Sequence, residues 1–308
     1  MTGNLFDITE ESKQEYRNLN DIYFIPPFSV INSMVGKWQN RRRWWINKGI
    51  KSEIGRKENL LGKTGFKTTV QTDKGGSLMN NPNQSNTSIF DPVLCEIMYN
   101  WFAPRKAKIL DPFAGGSVRG IVANYLGHNY TGIELRQEQV DSNREQSLNV
   151  LDIKNQPQWY VGDSNKQLDG FNCEFDFLFT CPPYLNLEKY SDLEDDISNM
   201  NEKDFYLIYE SIIKKSIALL KPNSIAVFVV GDVRHPKGHY RRFPDRTKDI
   251  FEKYGMNLIN EIIFYKNGSA ALRAKKSMDY KKVVKIHQNI LVFQNTNRFE
   301  KPKAGGQN

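Results

Sequence analysis

An α/β fold built on one Rossmann-like sheet is what this sequence predicts, on three observations. Residues 108–120, K-I-L-D-P-F-A-G-G-S-V-R-G, run from an apolar strand end through a nearly bulk-free glycine turn into a helix. Strand-like and helix-like patterns then alternate as far as residue 294. Glu134 closes the second strand about twenty residues past the turn, where nucleotide-binding sheets place an acceptor for ribose hydroxyls.

The elements follow in order. Residues 1–22 form a polar lead-in, and Tyr23–Ile31 is more apolar and turned by Pro26-Pro27. Residues 36–49 interleave Arg41, Arg42 and Arg43 with Trp38, Trp44 and Trp45. Arginine forks read phosphate, while indole rings stack on bases or bury against a domain, so the pattern admits both a nucleic-acid contact and an anchor. Residues 71–88 are rich in Gly, Asn and Ser and predict a loop or linker. That linker divides an N-terminal basic and aromatic accessory segment, 1–87, from a core domain, 88–296; residues 297–308 are expected as a disordered tail.

Ser88 or Asp91 is positioned to cap a helix with Pro92 in its first turn, and Leu94, Ile97, Met98, Trp101 and Phe102 line one face. After the glycine turn, Val118, Ile121, Val122, Tyr125 and Leu126 recur at helical spacing. Strands are predicted at Asn129–Glu134, Gln158–Val161, Phe175–Thr180, Ser224–Val230, Leu258–Tyr265 and Ile286–Gln294. Helices are predicted at Gln137–Val150, Lys203–Leu220 and Pro244–Tyr254, and a basic loop at 266–285. Asp163 ends the third strand, within reach of an adenine amine. Asp192, Glu194, Asp195 and Asp196 read as a solvated loop.

Composition bounds the partners. The net charge is +8, yet residues 37–67 alone carry +8 and residues 266–285 carry +6, so the rest of the chain is net −6. Two basic segments on an acidic body fit a polyanion met at defined places, and equally two solvated surfaces. No run approaches the roughly 18 apolar residues of a membrane span, and the acidic N-terminus does not read as a signal peptide. Three cysteines without paired spacing point to a reducing, cytoplasmic setting and to no metal site. His235 and His239, in H-P-K-G-H, do not share a helical face and are expected to bind none.

The pair D-P-F-A-G-G (111–116) and T-C-P-P-Y (180–184) resembles the amino-methyltransferases that modify adenine N6 or cytosine N4 in DNA. Those enzymes carry a D-P-F-x-G-x-G-like turn for S-adenosylmethionine and a catalytic (D/N/S)-P-P-(Y/F/W) tetrad. The likeness extends over residues 88–294, ends on the H-x-x-I-L-V-F strand, and is shared more loosely with phage and prophage methyltransferases. It implies a class I methyltransferase sheet, with S-adenosylmethionine held by Asp111, Phe113, Ala114, Gly115, Gly116, Glu134 and Asp163, and Phe90 over the methionine moiety. It implies further that Cys181, Pro182, Pro183 and Tyr184 are catalytic. Cys181 and the Pro182 carbonyl would accept hydrogen bonds from the target amine, and Tyr184 would stack on a base flipped from double-stranded DNA. Target contacts would then come from Arg41, Arg42, Arg43 and Trp44, or from Arg273, Lys275 and Lys276.

One residue departs from the pattern. Cys181 stands where the family has Asp, Asn or Ser, and sulfur is a weak acceptor. Three readings stay open: a tolerated replacement, a nucleophile toward C6 of a pyrimidine in a C5 methyltransferase, or a different substrate. An RNA methyltransferase and a DNA-binding protein without catalysis are the alternatives for the whole chain.

Overall fold

The computed structural model describes residues 19–51, 90–184, 196–235, 237–266 and 270–295, the side chains of 270–273 excepted. The linker 71–88, the tail, Ser88 and the acids at 192, 194 and 195 lie outside them. In chain order the elements are β1 (Val30–Asn32), α1 (Gly36–Asn47), α2 (Pro92–Phe102), β2 (Lys108–Asp111), α3 (Val118–Tyr125), β3 (Asn129–Glu134), α4 (Gln137–Leu148) and β4 (Gln158–Val161). There follow α5 (Ser164–Gln167), β5 (Phe175–Thr180), α6 (Glu202–Ala218), β6 (Leu220–Val230), α7 (Phe243–Lys253), β7 (Asn257–Tyr265), α8 (Ala270–Met278) and β8 (His287–Gln294).

All eight strands join one sheet in the order β1-β7-β8-β6-β5-β2-β3-β4. Neighbours pair parallel except β8, which runs antiparallel between β6 and β7. The run F-D-F-L-F-T of β5 shows why the middle of the sheet is buried on both faces: four of its six residues are apolar. Alternate residues feed two cores. Ile109, Phe177, Phe179, Val227 and Val229 pack with α1, α2 and α3 on one face. Leu110, Leu178, Phe228 and Val230 pack with α6 and α7 on the other. This is a Rossmann-like sheet with helices on both faces. Strand order reverses between β2 and β5, so the crevice for a ligand opens at the carboxyl ends of those two strands.

Two boundaries differ from the sequence reading. The segment before residue 88 is not a separate accessory over its described part. β1 adds to the sheet beside β7 (Ile31 abreast of Phe264), and Trp38 and Trp45 of α1 are wholly buried. A three-residue strand is too short to show a period, and α1 is a helix because two indoles seven residues apart bury on one side. The basic stretch 266–285 is likewise not all loop: its Ala, Leu, Arg and Lys residues are good helix formers, and they build α8. No helix among the described residues is long and apolar enough to cross a membrane.

Candidate active site

Asp111 ends β2 and is completely buried. Its Oδ2 accepts from Arg119 Nε at 2.6 Å and from Tyr130 Oη at 2.7 Å. Its Oδ1 accepts from Thr180 Oγ1 at 2.5 Å and from the Phe113 amide at 3.2 Å. Arg119 Nη2 donates to the carbonyls of Phe113 and Ala114, both at 2.7 Å. Burial alone would lower the Arg119 pKa, but Asp111 and Tyr130 outweigh it and hold the guanidinium charged. One carboxylate thus ties together the glycine turn, α3, β3 and the end of β5. Asp111 was expected as a cofactor contact; in the structure its carboxylate braces the turn that would carry that contact.

Two glycines make the arrangement fit. Gly115 sits at φ +53°, a conformation that disfavours a side chain, and a Cβ added there meets nothing within 4 Å. The backbone is therefore open to a ligand, while the Gly115 carbonyl is held from behind by Asn143 Nδ2 at 2.8 Å. Gly132 in β3 lies abreast of Asp111. A Cβ there would come within 2.8 Å of Tyr130 Oη and 2.9 Å of the Ala114 Cβ, so its absence lets Tyr130 reach Asp111.

The remaining cofactor candidates surround this turn. Ala114 is buried and its amide donates to the Ile133 carbonyl at 3.0 Å, docking the turn on β3. Gly116 follows in the same turn and is partly exposed. Phe113 packs against Tyr209 at 6.0 Å. Phe90 stands over Arg119 at 4.7 Å and meets Phe179 edge-on at 5.9 Å, which places it beside the crevice. Glu134 ends β3 with its carboxylate 12% exposed, 3.4 Å from Arg136 Nε and accepting from the Arg136 amide at 3.0 Å. Asp163 caps α5 through the Asn165 amide at 2.9 Å, with its other oxygen 3.8 Å from Lys166. A turn open to a ligand, two carboxylates at successive strand ends and a flanking aromatic fit S-adenosylmethionine.

The tetrad leaves β5 directly beside the turn. Thr180, the residue before it, is the one that bonds Asp111. Cys181 is partly buried against the core that holds Phe90 and Phe179. Tyr184 meets Phe243 at 5.8 Å, accepts from Gln288 Nε2 at 3.2 Å, and lies close over Gly231. Lys266, at the carboxyl end of β7, has its ammonium 5.0 Å from the Phe264 ring. Burial pushes its pKa down, against the upward pull of Asp91 and Cys181.

The basic candidates separate. Arg41 forms a bidentate pair with Glu96 at 2.9 and 2.7 Å and lies 4.1 Å from the Trp44 ring. Trp45 Nε1 donates to the same Glu96, and Trp38 Nε1 donates to Asp91, the cap of α2. Arg41 and Trp44 thus help to anchor α1 against α2. Arg42 is half-buried and Arg43 exposed on that helix. Lys275 and Lys276 are exposed on α8; the Arg273 side chain lies outside the description. His235 and His239 stack at 4.7 Å, and no metal-holding cluster occurs among the described residues. Arg119, Tyr130, Gly132 and Thr180 escaped sequence reasoning. For the strand residues Tyr130, Gly132 and Thr180 the signal is the alternation that sends them inward; Arg119, on α3, carries none.

Residues 175–304 match the family model of N6- and N4-methyltransferases, described as DNA methylase. The span takes in the tetrad and the final strand and begins after the glycine turn. Among solved structures, the chain is similar to TrmN from Thermus thermophilus, with TM-score 0.44 and 14% identity over 67% of this chain and 49% of that one. It is similar to an S-adenosylmethionine-dependent methyltransferase from Agrobacterium tumefaciens, with TM-score 0.46 and 14% identity over 68% and 63%. It is also similar to magnesium protoporphyrin IX methyltransferase from Synechocystis with bound S-adenosylmethionine, with TM-score 0.42 and 11% identity over 67% and 79%. The chain spans about half the length of TrmN. No curated protein matches it.

Proposed function

Taking the chain as an S-adenosylmethionine-dependent methyltransferase, we propose that it methylates an exocyclic amine of a DNA base, adenine N6 or cytosine N4, turned out of the duplex. The observation that carries this reading is the junction of glycine turn and C-P-P-Y tetrad at the reversal of strand order, linked by the Thr180–Asp111 hydrogen bond. Bound S-adenosylmethionine supplies an electrophilic methyl group. The chain's task is to hold the amine lone pair in line and keep water out. The Pro182 carbonyl and Cys181 take the amine, and Tyr184, fixed by Gln288 and Phe243, stacks on the base. Gly115 and Gly116, beside Phe90 and Phe113, would hold the methionine end, Glu134 would receive the ribose hydroxyls, and Asp163 would meet the adenine.

Nucleoside mass spectrometry of plasmid DNA from cells expressing the chain tests the reading. N6-methyladenine or N4-methylcytosine is expected, and it should persist in Cys181→Ser. Loss of 5-methylcytosine in both Cys181→Ser and Cys181→Ala would instead make Cys181 a nucleophile. No modified DNA base would sink the DNA reading.

Glu134→Ala removes a charged acceptor whose hydrogen bonds contribute about 1.5–3 kcal/mol. S-adenosylmethionine affinity, read by calorimetry, should fall roughly 10–100-fold. An unchanged affinity takes Glu134 out of the site.

A further inference from the structure

The hairpin that leaves β6 and the segment that enters β8 form one surface, joined by Arg234. Its Nη1 donates to the Gly238 carbonyl at 2.9 Å, and its Nη2 donates to Tyr240 Oη at 2.9 Å and to the Val283 carbonyl at 3.4 Å. The guanidinium lies 4.0 Å from the Tyr240 ring, and Lys285 approaches the same ring at 5.9 Å. The Lys282 ammonium fills the space where a side chain on residue 238 would stand. Arg234 is thus consumed in holding two loops together.

The charges around it are of two kinds. Arg241, Arg242 and Arg246 are engaged by Glu202 or Asp245. Lys237, Lys275, Lys276, Lys281 and Lys282 have no carboxylate at ion-pair distance among the described residues, and the one acid in their midst is Asp279. Met278, Tyr280 and Val283 stand between them 50%, 70% and 65% exposed. Like charges gathered without counter-ions repel one another, and a polyanion relieves that repulsion.

We infer that this joined surface is where duplex DNA docks, with the five lysines on backbone phosphates beside the base delivered to Tyr184. The inference rests on the DNA reading above and adds the place of contact. Both segments root on Tyr184: Gln288, three residues past Lys285, donates to its hydroxyl, and a Cβ on Gly231, where the hairpin begins, would lie 3.2 Å from that oxygen. Lysines are point charges suited to phosphate, and phosphate contacts set the register of a protein on its duplex. The surface has scattered apolar tips rather than the row of aromatic faces on which single strands stack.

The test uses the full chain, a labelled DNA duplex and fluorescence anisotropy across a salt series. Lys237→Gln/Lys281→Gln/Lys282→Gln is expected to weaken duplex binding at least about tenfold. Three lost phosphate contacts should flatten the slope of log K against log salt by about 2.7. S-adenosylmethionine affinity should stay at the wild-type value, which shows the fold intact. The corresponding Glu triple variant should weaken binding further. Wild-type affinity and slope in the Gln variant would overturn the inference, as would loss of RNA-hairpin binding with duplex binding unchanged. Failure of the methylation reading looks different: no base modified in DNA, while duplex binding persists and still depends on these lysines.

Discussion

Asp111→Ala is expected to destabilise the protein by about 3–5 kcal/mol and to abolish S-adenosylmethionine binding. Removing one partner of a buried ion pair leaves the other as an uncompensated buried charge. Here that charge is Arg119, whose side chain is 6% exposed and faces the cleft core. The Tyr130 and Thr180 hydroxyls lose their acceptor in the same step. Urea denaturation measures the loss. Arg119→Met in the Asp111→Ala background removes the stranded charge and should recover part of the stability. It should not recover cofactor affinity, because nothing then holds the Phe113 and Ala114 carbonyls. A loss below about 1 kcal/mol for Asp111→Ala, smaller than the cost of one stranded polar group, would remove the brace from the account of this site.

The second large effect falls on the N-terminal helix α1. Trp38→Ala should cost about 3–5 kcal/mol, the usual toll of emptying a buried indole site. Trp38 is fully buried, stacks on Phe264 at 5.4 Å, and donates to Asp91, which caps α2 through the Val93 and Leu94 amides. Trp38→Phe keeps a stacked ring but loses the bond to the buried Asp91 carboxylate, so about 1.5–3 kcal/mol is expected. Denaturant midpoints of the two variants give the comparison. Equal, small losses would mean that α1 is detachable from the sheet. A large gap means that the N-terminal segment belongs to the core, and that its tryptophans are structural.

The contrast between these two sites explains what was legible. The glycine turn, the C-P-P-Y run and the acids at 134 and 163 were readable because each is a local chain event: a turn with φ > 0, a proline pair, an acid closing an apolar strand. The strands Asn129–Glu134, Gln158–Val161 and Phe175–Thr180 were found at their observed bounds, since each apolar run is flanked by Gly, Pro or charge. β1 was missed because three residues show no period, and α8 because a charged stretch resembles a loop until its helix formers are weighed.

By itself, then, the sequence determined the α/β order, the sheet's glycine turn, the tetrad and the concentration of basic charge in two segments. Only the tertiary structure decided how those parts are used. It turned Asp111 inward, because Arg119, Tyr130 and Thr180 arrive from three other elements to take its oxygens. It paired Arg41 with Glu96 and gave Lys281 and Lys282 no carboxylate at ion-pair distance among the described residues, although both groups look alike as letters. A charge is a structural bond or a binding surface according to what lies within a few ångströms of it, and that neighbour comes from residues distant in the chain.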